Sequence, residues 1–195
     1  YNLGQMFNAC NIINAKNLIL PATTLGDECY NSMFYECRSL TQAPALPATT
    51  LANSCYANMF YGCEKLTQAP VLPATTLAEY CYDGMFQGCT SLTNAPILYA
   101  TEPVTGCYNG MFRDCDSLTS LNLSGFDTTK VTDMSWMFQW CDKLTSLDVS
   151  SFDTSKVIYM KYMFSYCRSL TSLDVSHFDT SNVTDMLSMF EGSIS

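Results

Sequence analysis

The feature that most constrains the fold of this sequence is a short phrase that returns at an almost constant interval. Met-Phe occurs eight times, first 27 residues apart and then 26 residues apart six times. A cysteine follows the methionine by four positions in seven units, and Ser193 takes that position in the last one. The eight methionines are Met6, Met33, Met59, Met85, Met111, Met137, Met163 and Met189. A constant period of this length is typical of stacked repeats.

Each unit predicts one short strand and one short helical segment. In "LTSLDVS", at 144–150, Leu147 and Val149 alternate with polar residues and so share one side of a strand. In "VTDMSWMFQWC", at 131–141, apolar residues recur every three or four positions, which indicates one buried face of a short helix or 3₁₀ turn. The predicted fold is therefore an α/β right-handed solenoid, with a parallel sheet on one face and short helices or 3₁₀ turns on the other.

The residue pattern of the repeat changes part-way along the chain. Residues 1–117 carry proline-containing LPATT-type repeats, and residues 118–195 carry LDVSxFDTS-type repeats of equal length. We expect a single solenoid domain over 1–195 that is part of a longer protein, because the last unit ends one strand short.

Proline predicts where the sheet is weakest. Pro44, Pro70 and Pro96 occupy one position of successive strands, and proline cannot donate a hydrogen bond to a sheet. We expect a parallel ladder that is shorter or interrupted in 14–100 and more regular in 118–176.

Composition excludes several classes of partner. Apolar residues make up 48% of the chain and charged residues 14%, which is typical of a folded protein with a large core. The formal net charge of −9 argues against binding to nucleic acid or to an anionic membrane surface.

The eleven cysteines are interpreted as free, buried thiols. Cys55 and Cys63 of one unit lie about 12 Å apart along a helix, beyond the roughly 7 Å that a disulfide spans. Bridges between neighbouring units stay geometrically possible, but the odd count argues against pairing. A second cysteine column, at Cys29, Cys55, Cys81 and Cys107, is expected nearer the surface, because later units replace it with Asp133, Tyr159 and Asp185.

Catalytic and metal sites are not indicated. The cysteines lack the C-x₂₋₄-C spacing of zinc sites, and His177, the only histidine, is expected to be an exposed turn residue. His177 is the only histidine that could act as the general base of a nucleophile–base pair. We therefore predict no enzyme activity and no cofactor. Calcium is a possible ligand of the aspartate columns, although such residues more often cap turns.

Two surfaces are candidates for binding. The first holds the large aromatic side chains of two successive units: Trp136, Trp140, Tyr159, Tyr162 and Tyr166. Rigid rings dominate binding hot spots, but these rings could instead cover one another. The second holds the outward residues of the strands: Asp148 and Asp174, and an apolar stripe of Leu20, Leu46, Leu72 and Leu98. If proline breaks the strands, these leucines turn inward.

The phrase "MFxxCxxLTxLxL", as in "MFQWCDKLTSLDV", resembles the BspA-type leucine-rich repeats of bacterial surface proteins. "SFDTSKVxxMxxMF" resembles a branch found in surface lipoproteins that carries a domain-of-unknown-function label. The resemblance implies a bacterial cell-surface location and adhesion to proteins of the host extracellular matrix or plasma. The alternative is a structural spacer that projects another domain from the cell.

Overall fold

The computed structural model describes residues 2–100 and 103–193. Within these ranges the backbone forms no α-helix, no 3₁₀-helix and no strand longer than an isolated bridge, so the predicted short helices and sheet are wrong there. Neighbouring coils are joined by single parallel bridges, at Asn14–Gln42, Thr24–Thr50, Thr50–Thr76, Leu72–Leu98, Asp133–Tyr159 and Tyr159–Asp185. The solenoid is held together in another way.

Most of each coil is a ribbon of overlapping tight turns. In the second coil, alternate amides close turns within the coil, as when Met33 N donates to Tyr30 O at 3.2 Å. The amides between them donate to the next coil, as when Tyr30 N bonds Cys55 O at 3.0 Å and Phe34 N bonds Met59 O at 2.9 Å. Half of the amides of this ribbon therefore shape the coil, and the other half bind it to its neighbour.

A left-handed residue at every fourth position explains why no helix forms. Glu28, Ser32 and Glu36 have φ of 54°, 54° and 52°, the conformation that the third residue of a type II turn requires. Buried side chains therefore recur as adjacent pairs every four residues, as in Cys29–Tyr30 and Met33–Phe34. Over about ten residues this four-residue period resembles a 3.6-residue period, and the sequence was interpreted as a helix for that reason.

Phenylalanine forms the axis of the core. Phe60 and Phe86 have ring centroids 5.8 Å apart and Phe86 and Phe112 6.2 Å apart, with interplanar angles of 9° and 7°. The stacking continues through Phe138 and Phe164. The expectation that neighbouring coils lie side by side is confirmed, and their buried residues form one hydrophobic cluster from Ala15 to Met189.

The cysteines that follow Met-Phe link the coils. Cys141 Sγ donates to Phe112 O at 3.2 Å, and Cys167 Sγ donates to Phe138 O at 3.1 Å. Ser193 Oγ makes the equivalent bond to Phe164 O, so a hydroxyl replaces the thiol in the last unit. All eleven cysteines are free, and all but Cys10 are buried.

The second cysteine column is buried, which corrects the expectation that it lies near the surface. Cys55, Cys81 and Cys107 are fully buried, and desolvation raises the pKa of the Cys55 thiol to about 12. In later units Met134 supplies the buried side chain from the next position, so Asp133 and Tyr159 can point outward.

The proline prediction is right for one section and wrong for the other. Residues 14–100 contain only isolated bridges, as expected, but the described backbone of 118–176 is no more regular. There, side-chain carboxylates close local turns: Asp148 Oδ1 accepts the amide of Ser150 at 2.9 Å. A segment closed on itself in this way does not build a ladder with its neighbour.

The expected apolar stripe of Leu20, Leu46, Leu72 and Leu98 is wrong, because all four side chains are buried. The proline-containing segments do not keep the parity of a regular strand, so these leucines turn inward. Ile19, Val71 and Ile97, each one position earlier, are exposed instead.

Within the described ranges, no helix has the length and apolarity that crossing a membrane requires.

Candidate functional site

Four of the five predicted aromatic residues form two rows on the outer side of the turn ribbon. Trp136 stacks on Tyr162 with ring centroids 6.5 Å apart and an interplanar angle of 9°. Trp140 lies 6.0 Å from Tyr166 with the rings tilted by 36°. We call Trp136, Trp140, Tyr162 and Tyr166 the aromatic surface. Tyr159 is exposed and bridged to Asp133, and among the described residues its ring stacks on none of the four.

All four residues of the aromatic surface have left-handed backbones. Their φ angles are 59° at both tryptophans and 57° at both tyrosines. In earlier coils the equivalent positions hold glycine four times, at Gly62, Gly84, Gly88 and Gly110, and otherwise residues such as Asn58 and Asp114, which also have positive φ. A side chain in this conformation costs roughly 1–2 kcal/mol, and glycine avoids that cost. The rings are thus held where the backbone favours glycine, at a turn position that ten described non-glycine residues outside the aromatic surface also occupy.

Three cations lie against the rings. Lys161 Nζ is 4.5 Å from the Trp136 ring centroid, and the guanidinium carbons of Arg113 and Arg168 are each 5.1 Å from the rings of Trp140 and Tyr166. Arg168 also pairs with Asp142 at 2.6 Å. Cation–π contacts at exposed sites contribute about 0.5–1 kcal/mol each, so the cations hold the rings in fixed orientations.

Sequence reasoning missed three buried polar groups beside the aromatic surface. Ser135, Gln139 and Ser165 are 0%, 5% and 0% exposed, and Ser135 Oγ, Gln139 Oε1 and Ser165 Oγ have no hydrogen-bond partner. Each such group costs about 1–3 kcal/mol. Ser135 and Gln139 directly precede Trp136 and Trp140, so the signal available in the sequence was a polar residue before each large ring.

The row that contains Trp136 has a gap on one side. Gly110 holds this position in the preceding coil, and a Cβ placed on it has no atom within 4 Å. At Gly84, one coil earlier, a Cβ would instead lie 2.6 Å from Asn58 Oδ1. Side chains of this column therefore lean toward the following coil, and because residue 84 is glycine, no atom of the described residues comes within 4 Å of a Cβ placed on Gly110.

Acidic side chains lie next to this gap. Asp83 and Asn109 directly precede the two glycines, and Asn109 Nδ2 donates to Asp133 Oδ2 at 2.9 Å. Desolvation, with a smaller contribution from the charge of Asp133, raises the pKa of Asp83 to about 6. Asp83 therefore lies in a partly desolvated region that the charge of Asp133 reaches.

The secondary candidates are occupied by local contacts or buried. Asp148 and Asp174 each accept the amide of the serine two residues later at 2.9 Å, and the serine hydrogen bonds hold the pKa of both carboxyls below the usual value. Leu46 and Leu72 belong to the core. The aspartate column considered for calcium makes the same turn-capping bonds, at Asp127, Asp153 and Asp179. The described residues contain no group of three or more His, Cys, Asp or Glu placed to hold a metal.

His177 lies on an exposed turn, as predicted. Its Nε2 is 3.0 Å from Val149 O, and its ring meets Phe178 edge-on. Neither contact is with a nucleophile.

Two protein families match the sequence, one over each part of the chain. Residues 4–134 match the family described as BspA type leucine-rich repeat region in six copies. The chain belongs to the BspA-type leucine-rich-repeat family. Residues 107–195 match the family described as Mycoplasma protein of unknown function, DUF285. Both resemblances inferred from the sequence are confirmed, and BspA-type repeats are generally protein-interaction modules rather than enzymes.

One solved structure supports the solenoid fold, and two others are more distantly similar. A leucine-rich repeat protein from Eubacterium ventriosum is 19% identical with a TM-score of 0.53, over 88% of this BspA-type chain and 43% of that one. A leucine-rich repeat protein from T. pallidum is 16% identical with a TM-score of 0.48, over 81% and 78%. A leucine-rich cell surface protein from Faecalibacterium prausnitzii is 20% identical with a TM-score of 0.41, over 86% and 45%. This chain therefore spans less than half of the first of these proteins. No curated protein matches the sequence.

Proposed function

We propose that this chain is a non-enzymatic module of a bacterial cell-surface protein that binds a protein partner through the aromatic surface. The repeats form one solenoid domain over 1–195, which presents this surface as part of a longer protein. By resemblance to BspA-type proteins, the partner is a protein of the host extracellular matrix or plasma.

The observation that carries the proposal is the retention of four large rings at left-handed positions. Trp136, Trp140, Tyr162 and Tyr166 all have φ near 58°, where other coils hold glycine or smaller polar residues such as Asn58 and Asp114. Packing within the solenoid does not require these rings, because the coil that holds glycine at both positions also bonds the next coil, through Gly84 N to Asn109 O and Gly88 N to Arg113 O. Aromatic side chains fixed by stacking and cation contacts lose little entropy on binding, which is typical of interface hot spots.

Binding to immobilised fibronectin and fibrinogen tests the proposal. The double variant Trp136→Ala, Tyr162→Ala removes one row, and we expect it to weaken binding by at least about 30-fold, since hot-spot residues contribute about 2 kcal/mol or more.

The matched control is Tyr35→Ala, Tyr61→Ala. These two rings also stack between neighbouring coils, with centroids 4.5 Å apart and an interplanar angle of 4°, but they lie outside the aromatic surface. The control should bind like the parent protein. Equal loss in both variants would contradict a specific site, and no binding by the parent protein would favour the spacer alternative.

A further inference from the structure

The gap over Gly110 lies at the open end of the Trp136–Tyr162 row. Tyr162 and Lys161, which contact the Trp136 ring, both belong to the following coil. The preceding coil contributes Gly110 and therefore no side chain. A planar group from outside can enter beside Gly110 and continue the stack toward the preceding coil.

The surroundings of the gap select a cation. Asp83 precedes Gly84, and Asp133 is bonded to Asn109, which precedes Gly110. Backbone bonds from Gly84 N to Asn109 O and from Gly110 N to Ser135 O, at 2.8 and 3.0 Å, fix these residues in adjacent coils. Asp83 therefore belongs to the coil before Gly110, and the Asp133 side chain is bonded to the coil of Gly110, whereas Lys161 and Tyr162 approach Trp136 from the following coil. A positive charge placed in the gap meets both acids and an indole ring.

A second observation concerns an unpartnered hydroxyl in the residue after Met134 and before Trp136. Ser135 is fully buried and its Oγ is unpartnered, while its amide donates to Asp133 Oδ1 at 2.8 Å. Ser135 occupies the position of Asn109 one coil later. Ser135 therefore leaves one unsatisfied hydroxyl in the segment that carries Asp133 and Trp136.

We propose that the gap over Gly110 receives an arginine side chain of the protein partner, stacked on Trp136 and paired with Asp83 and Asp133. This inference rests on the proposed function and names the chemistry that the partner presents. Arginine fits better than lysine because its guanidinium is planar, stacks on aromatic rings and donates to two carboxylates at once. A carbohydrate fits less well, because the gap has room beside a single ring and two acids favour a charged ligand.

The two tryptophans make the proposal measurable, because the protein has only two indole N–H signals. N-acetyl-arginine methylamide is titrated into the ¹⁵N-labelled protein, with the lysine and glutamate derivatives and methyl-α-glucoside in parallel. We expect the Trp136 signal to shift saturably with a Kd of about 1 mM, corresponding to about 4 kcal/mol, while Trp140 stays unchanged. The lysine derivative should bind more weakly, and the glutamate and the sugar should have no effect. Equal shifts of both tryptophans, or equal responses to lysine or the sugar, would overturn the proposal.

A variant that fills the gap can be compared with a matched control variant in the same column. Gly110→Asn places a side chain against Trp136, and the backbone accepts it, because Asn58 holds the equivalent position with φ of 53°. We expect at least a tenfold loss of arginine binding. Ser188→Asn makes the same kind of change in the same column, at φ of 51° and away from the gap, and should bind normally. Asp133→Asn tests the charge without filling space and should weaken binding severalfold.

These results separate the two proposals. Arginine binding that survives in Gly110→Asn refutes the gap site even if fibronectin or fibrinogen binds the aromatic surface. A saturable Trp136 response without binding to either host protein supports the gap site and rejects those two partners.

Discussion

Replacing Tyr162 by alanine and by glycine separates the cost of its backbone from the contribution of its ring. Both changes remove the stack on Trp136, which contributes about 0.5–1.5 kcal/mol. Alanine keeps a Cβ at φ of 57°, a penalty of about 1–2 kcal/mol that glycine avoids. Glycine loses about 0.5–1 kcal/mol through its freer unfolded chain. We therefore expect Tyr162→Gly to be more stable than Tyr162→Ala by about 0.5–1 kcal/mol.

Tyr61 is the matched control because its ring also stacks between coils but its φ is not positive. There the order reverses, and Tyr61→Ala should be more stable than Tyr61→Gly by about 0.5–1 kcal/mol. Urea unfolding followed by circular dichroism measures both pairs, with midpoints and slopes compared, because repeat arrays depart from two-state behaviour. The same order at both positions would refute the assignment of backbone strain to the aromatic surface.

Three further predictions concern thiols, a hydrogen bond and a carboxylate. A thiol reagent should label about one cysteine of the native protein, the exposed Cys10, and eleven after denaturation; rapid labelling of several would contradict the burial. Cys141→Ala should destabilise the fold by about 1–2 kcal/mol by removing the bond to Phe112 O, and Cys141→Ser should cost less in the same urea assay if that bond matters. Because the folded pKa of Asp83 is raised to about 6, its protonated form is favoured in the folded state, and the contribution of Asp83 to stability is lost as pH rises from about 4 to 6. Asp83→Asn should flatten that pH dependence, and an unchanged pH profile would argue against a desolvated carboxyl.

The sequence was sufficient for the repeat and for the stacking but not for the local conformation. The constant spacing of Met-Phe and the cysteine required equivalent side chains to lie in rows, and Phe60, Phe86 and Phe112 do. The turn ribbon was missed because a four-residue period and a helical period coincide over a short segment. Non-glycine residues such as Glu28 at positive φ also give no signal of a left-handed turn. The right hand of the coil stays a prediction.

The candidate site was predicted in part. The repeat period predicted the contacts of Trp136 with Tyr162 and of Trp140 with Tyr166, because residues one period apart lie next to each other in neighbouring coils. Tyr159 was grouped with them although it occupies a different column. The gap over Gly110 depended on the direction in which side chains lean, which no periodicity reveals.

The alternating amides also determine how the stack would respond to tension along its axis. Five amides of the second coil's turn ribbon donate to the third coil, from Glu28, Tyr30, Ser32, Phe34 and Glu36. Where the residue pattern of the repeat changes, the described ribbon makes three such bonds to the next coil, from the amides of Gly110, Phe112 and Asp114. A pulled molecule should therefore part first at this seam, beside the aromatic surface, and each coil that then peels away should lengthen the tether by about 90 Å.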